Sequence, residues 1–184
     1  MPLVKLKFKS VSEIVGTEDV GLLLLVTEDE QRQLSIVCDK AMIYQFGLRL
    51  SHTPVTDKLL PEVLWTVVKR HTELNFQVII NDLIDGQYRT LLYEPNILQA
   101  IPVRASDGVL LANIAELPIY IEERLLLRQS VPHDGKSSGV AVPVNVISDE
   151  MLVKALHKAV DEENYEQASQ LRDELRRRGK DDLR

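Results

Sequence analysis

Two apolar runs hinged on Asp85-Gly86 constrain the fold more than any other stretch of this 184-residue chain. Residues 76–84 (FQVIINDLI) are rich in β-branched and aromatic side chains, and residues 88–93 (YRTLLY) answer them on the far side of the Asp-Gly pair. Glycine reaches the positive φ that a tight two-residue hairpin needs, so this spacing predicts antiparallel strands paired from the turn outwards.

Similar patterns surround that hairpin. Residues 3–11 alternate, with Val4, Leu6 and Phe8 on one face and Lys5, Lys7 and Lys9 on the other. Period two reads as a half-buried strand, expected at an edge or facing solvent. Residues 20–27 form a nearly continuous apolar run, interrupted by Glu28-Asp29-Glu30 before residues 33–38 resume a β pattern, which predicts a second hairpin. Helical spacing then takes over. Ala41, Tyr44 or Gln45, and Leu48 suggest a short helix closing at Ser51, with Gly47 weakening it. After Pro54, Thr56 is the expected N-cap of a helix turning Leu59, Leu60, Val63, Leu64, Val67 and Val68 inward, with Pro61 in its first turns. Residues 100–104 read as a strand, and Ser106 as the opening of a helix with Val109, Leu110, Ile114 and Leu117 on its apolar face. Pro118 stops that helix. Residues 119–121 form a last strand and residues 123–129 a last short helix of this part. The fold class is therefore α+β, a largely antiparallel sheet packed by helices.

Composition removes several alternatives. The net charge is -6 with 27% charged residues, so no domain-wide basic face neutralises phosphates, and any nucleic-acid contact must be local or metal-assisted. A single cysteine, Cys38, excludes an internal disulfide and a Cys-rich zinc site, and its only basic neighbour is Lys40, which argues against a reactive thiol. No apolar run approaches the roughly 18 residues of a membrane-spanning helix, and residues 1–10 carry no signal-peptide block, so the expectation is a cytoplasmic protein without membrane attachment.

Residues 130–146 shift to Pro132, Gly135, Ser137, Ser138, Gly139 and Pro143, a composition with little to bury. The chain thus divides into a domain over 1–130, a linker over 131–148 and a tail over 149–184. In the tail, Leu152, Leu156, Ala159 and Val160 share one helical face, while Tyr165, Ala168, Leu171, Arg172 and Leu175 share another. Asn164 is a good N-cap between them, Gln167 completes a capping-box-like pair, and Gly179 suits the end, which predicts an antiparallel helical hairpin. Two helices this short bury little and invite a partner.

The tail resembles the UVR motif of the UvrB and UvrC excision-repair subunits, through Ala159, Glu162, Tyr165-Glu166, Ala168 and Leu171-Arg172-Asp173. That resemblance implies association with another such hairpin, with Tyr165, Glu166, Ala168, Leu171 and Arg172 as contact residues. The partner is a different UVR-bearing protein, this chain's own main domain, or a second copy.

Residues 3–130 resemble the bifunctional nuclease domain family of small bacterial and plant proteins, to which combined DNase and RNase activity is attributed. The carrying stations are Arg104-Ala-Ser-Asp-Gly, then Leu117-Pro-Ile-Tyr120, Thr53-Pro-Val-Thr-Asp-Lys-Leu-Leu60, and Leu34-Ser-Ile36. One departure bears on chemistry: Asp57 and Lys58 stand where the family has a His-Asp pair. The resemblance implies phosphodiester hydrolysis of DNA or RNA. Asp107 is the candidate base or metal ligand, Arg104 the phosphate clamp, Asp57 a substitute for the family histidine, and Lys58 and Arg49 added positive charge. A divalent cation, Mg²⁺ or Mn²⁺, is implied by the reaction class, although no ligand spacing announces one; His52, His71, His133 and His157 are scattered. The structural alternatives are that Ser106 and Asp107 stabilise a helix N-terminus, that Arg104 pairs with Asp107, and that Trp65 is core. By function, the alternative is a non-catalytic adaptor that has lost the His-Asp pair.

Overall fold

The computed structural model describes residues 2–13, 20–84, 86–133, 153, 156–157, 159–161 and 165–177. They belong to two compact units, Met1–Ala141 and Val142–Arg184.

The first unit is built on eight strands: β1 (Leu3–Glu13), β2 (Val20–Thr27), β3 (Arg32–Asp39), β4 (Gln77–Ile84), β5 (Gln87–Glu94), β6 (Gln99–Arg104), β7 (Ile119–Glu122) and β8 (Val131–Pro132). They form one sheet in the order β6-β5-β4-β7-β1-β2-β3-β8. Every neighbouring pair is antiparallel except β4 with β7, so the class expected from the patterns holds. The Asp85-Gly86 hairpin forms with Ile84 opposite Gln87, and Gly86 takes φ 75°, the conformation for which glycine was expected; Asp85 itself lies outside the described residues.

Three expectations need correction. The alternating first strand faces solvent on one side, as one of its two expected settings allowed, but is not at an edge: β1 sits between β7 and β2, with its lysine face exposed and Leu6 buried. Lys5 pairs with Glu28 at 2.9 Å and Lys9 with Glu30 at 3.1 Å, so the lysines answer the acids of the β2–β3 turn. Thr56 does not cap the second helix; Thr56–Lys58 is a single 3-10 turn, and the helix starts after Leu59, which offers no side-chain cap. The 130–146 segment is not wholly linker, because Val131–Pro132 adds β8 beside β3.

Helix α1 (Lys40–Leu50) packs on β1, β2 and β3, burying Met42 and Phe46; the Phe46 ring stacks on Phe8 with centroids 4.7 Å apart. Helix α2 (Leu60–His71) leans on α3 (Ala105–Ala115), and α4 (Glu123–Gln129) packs on β7, β1 and β4. Helix α3 begins one residue before Ser106 and ends with Glu116 in the left-handed region, leaving Leu117 beyond it. It touches β6, β5, β4 and also β3, strands from opposite ends of the sheet, so the sheet bends around it. Gly108 permits that approach: a Cβ there would lie 3.2 Å from Thr90 Cγ2 and Val78 Cγ1 and 3.3 Å from Val103 Cγ1. The core gathers Leu23, Leu25, Leu34, Ile36, Val78, Ile80, Val109 and Ile121. Where β5 ends, the fully buried Glu94 carboxylate ties down the loops on either side. It accepts the backbone N–H of Asn75 (3.2 Å) and Ile97 (2.8 Å) and the side-chain amide of Asn96 (2.8 Å).

Helix α2 inverts the expected arrangement. None of its residues is buried; Leu60, Val63, Leu64 and Val67 face outward, while Trp65 and Val68 are half-buried on the opposite side. Trp65 meets Phe76 there, ring centroids 6.4 Å apart.

In the second unit, α5 (Tyr165–Arg177) and the helical residues Val153, Leu156, Ala159 and Val160 are described. Ala159, Ala168, Leu171 and Leu175 form one buried cluster with Val153 and Leu156 against it. Asn164, Gly179 and Glu162 lie outside the described residues, as does the side chain of Glu166 and so the full expected hairpin. No described helix is long and apolar enough to cross a membrane.

Candidate active site at two strand-to-helix junctions

Arg104 closes β6 and occupies the N-cap position of α3, with Asp107 in the first turn of that helix. A helix starting directly off a strand forces the two into reach, and the guanidinium grips Asp107 with both prongs: Nε donates to Oδ2 at 2.6 Å and Nη2 to Oδ1 at 3.1 Å. The third direction of the fork goes elsewhere in the chain. Nη1 donates to Oδ2 of Asp39 at 3.3 Å, and Asp39 closes β3 and caps α1, its Oδ1 accepting the Met42 N–H at 2.8 Å.

One cation thus joins two carboxylates, each at the N-terminus of an eleven-residue helix. Helix dipoles hold negative charge there, and Asp107 above all, then Asp39, raises the Arg104 pKa further above its ordinary value. All three side chains are open to solvent, so the ion pairs contribute little to stability, roughly 0–1 kcal/mol, and exchange readily with other anions. Sequence reasoning placed Arg104 and Asp107 together but passed over Asp39. Its signal was available: an aspartate between a β run and a helical run is an N-cap by residue type.

The other candidates lie apart from this arrangement in their described contacts. Asp57 and Lys58 are exposed on the 3-10 turn before α2. Arg49 is turned inward: its Nη1 donates to the carbonyl and to Oε1 of Gln45, both at 2.8 Å, and its Nη2 lies 2.7 Å from Oε1 of Glu62. Its guanidinium therefore joins α1 to α2. Cys38 is buried, and its thiol is pushed up to about 11 by that burial, with neighbouring Asp39 adding to the shift. His133 is committed through Nδ1 to Gln33 Oε1 at 2.8 Å. In the second unit, Tyr165 is exposed, Ala168 and Leu171 are buried in the cluster, and Arg172 bonds to Asp173 at 3.1 Å and to Ser169 at 3.2 Å.

A protein-held divalent cation does not fit the described residues around Arg104. Among the described residues no three His, Cys, Asp or Glu side chains gather, and the two carboxylates that approach each other have a guanidinium between them. A cation placed there would meet Arg104 before it met a full ligand set.

An α+β domain that exposes an arginine and two aspartates where two strands run into two helices now has a family. The bifunctional nuclease domain matches residues 23–134, more than half of the chain, and the chain belongs to that family. A second match, to the UvrB/uvrC motif, covers residues 150–178. No curated protein matches the chain.

Proposed function

We propose that this protein is a nuclease that binds single-stranded DNA or RNA at Arg104 and hydrolyses a phosphodiester there. The observation that carries the reading is the solvent-exposed Arg104–Asp107–Asp39 cluster, which lies within the matched family domain at two helix N-termini. A phosphodiester entering this site competes with Asp107 for the arginine fork. When the fork turns to the phosphate it neutralises charge that grows in the transition state, and the released Asp107 carboxylate accepts the proton of the attacking water; the water oxygen bonds to phosphorus as one ester P–O bond breaks, and Asp107 returns the proton to the leaving alkoxide. Asp39 keeps α1 capped and holds the third N–H direction, so the fork turns without losing its anchor. Asp57 and Lys58, at the positions of the family's His-Asp pair, supply a second acid and a cation from the exposed 3-10 turn. The second unit docks a UVR-bearing protein or a copy of itself through Tyr165, Glu166 and Arg172, and the protein works in the cytoplasm.

The test is cleavage of single-stranded DNA and RNA by the purified full chain, with Mg²⁺ or Mn²⁺ and with chelator. Asp107→Ala and Arg104→Ala should each lower the rate at least tenfold, within the range removed with a general base or an electrostatic clamp. Unchanged rates in both folded variants would sink the assignment.

A second reading, a non-catalytic adaptor, is favoured by one specific observation: Asp107 already fills the bidentate face of Arg104 that a phosphate needs. It fits the Asp57-Lys58 replacement as well. Under this reading no cleavage occurs with either metal, while capture of a UVR-bearing protein through residues 149–184 persists.

A further inference from the structure

Arg89 and Arg104 are direct cross-strand partners where β5 pairs with β6, so their side chains leave the sheet from the same face. Opposite positions of an antiparallel pair hold their Cβ atoms about 4.5–5.5 Å apart, and like charges set there repel. The two guanidinia are unequally engaged. The Arg104 fork is committed to Asp107 and Asp39, whereas Arg89 is exposed and makes no hydrogen bond or ion pair among the described residues.

The acid on the other side of Arg89 does not quench it. Asp82 of β4 is its partner there, but Oδ1 of Asp82 accepts the backbone N–H of Leu83 at 2.8 Å, and no ion pair joins it to Arg89. The ladder shifts register between Ile80 and Asp82, the kind of irregularity that re-aims a side chain. An idle guanidinium placed opposite a second arginine adds repulsion and no contact, so folding alone gives no reason for it. Access is open as well: β6 is a border strand, and Gln99, Ala100, Ile101, Pro102 and Arg104 on it are all exposed. In a chain of net charge -6, two arginines on one row concentrate positive potential where an anion can reach it.

We infer that Arg89 is a phosphate-binding residue for the single strand, holding the phosphate next to the one that reaches Arg104. A free fork takes a phosphodiester without displacing a carboxylate, whereas Arg104 must first release Asp107. Arg89 therefore captures the strand, and the captured strand presents its neighbouring phosphate to Arg104 at high effective concentration, which favours exchange with Asp107. This role rests on the reading of the Arg104 site as a nucleic-acid site, and not on hydrolysis itself.

Fluorescence anisotropy of a labelled oligothymidylate with the full chain, in chelator so that binding is read without turnover, tests it. Arg89→Gln should weaken binding about fivefold at low salt and lower the slope of log K against log salt by about 0.7, the worth of one phosphate contact to a single strand. Arg89→Lys keeps the charge and should keep the slope, while Arg128→Gln, which removes an exposed arginine from α4, should change neither. In the cleavage assay Arg89→Gln should raise KM and leave kcat unchanged. Its melting temperature should not fall, since a repulsion is removed. Wild-type affinity and slope in Arg89→Gln, alongside cleavage by the wild type, overturn this role and leave the nuclease reading standing. Binding that depends on Arg89 in a chain that never cleaves supports this role and sinks the nuclease reading. A wild type that does not bind the strand, an equal loss in Arg128→Gln, or affinity lost in Arg89→Gln only through unfolding overturns it.

Discussion

Arg49 and Glu62 meet at 2.7 Å across the α1–α2 junction, with side-chain exposures of 7% and 15%. A pair this dry is unequal to the sum of its halves. Removing one partner strands the other charge, whereas removing both leaves an apolar contact. Arg49→Ala should therefore destabilise the protein by about 3 kcal/mol, while Arg49→Met/Glu62→Leu should recover most of that loss. Urea unfolding of the three proteins checks it, and a double variant no better than the single one would show that the pair itself supplies the stability.

Glu94 should control part of the acid limb of the stability curve. Desolvation pushes its carboxyl upward, but the N–H groups of Ile97 and Asn75 and the amide of Asn96 outweigh it and leave the pKa below its ordinary 4.5. A depressed folded value means that the stabilisation is fully present above about 4.5 and disappears as the pH falls through the folded value. Glu94→Gln should lower the melting temperature by several degrees at pH 7 and flatten its dependence below pH 4.5. Parallel acid curves for variant and wild type would refute this role.

Cys38 should be inert in the native protein. With its thiol at about 11, roughly one part in a thousand is thiolate at pH 8, and burial shields even that fraction. Reaction with a chromogenic disulfide reagent should be at least a hundredfold slower in buffer than in denaturant.

Gly21 should not tolerate a methyl group. A Cβ at that position of β2 would overlap the Ile43 side chain of α1 and sit 3.0 Å from the Ser12 carbonyl oxygen. The side chain can yield but the backbone of β1 cannot, so Gly21→Ala should cost about 1–3 kcal/mol in chemical denaturation.

Local periodicity made the two hairpins and the bounds of α1 and α4 legible, because turn chemistry and alternation act over a few residues. The parallel pairing of β4 with β7 was not legible, since it joins segments 41 residues apart, Val78 against Ile119, by way of α3. α2 marks the sharper limit. Its periodicity defines an apolar side but carries no information about what that side faces, and the orientation is set by the non-local attraction between Arg49 and Glu62. The candidate site divides the same way. Arg104 and Asp107 are neighbours along the chain and could be paired on sight, whereas Asp39 joins them only when β3 and β6 end at the same place.

The two outer strands of the sheet each contain a proline, Pro102 in β6 and Pro132 in β8. A proline has no N–H to give, so neither border offers an unbroken row of donors on which a foreign strand could grow. The sheet is therefore blunted against fibril-like extension at both of its borders.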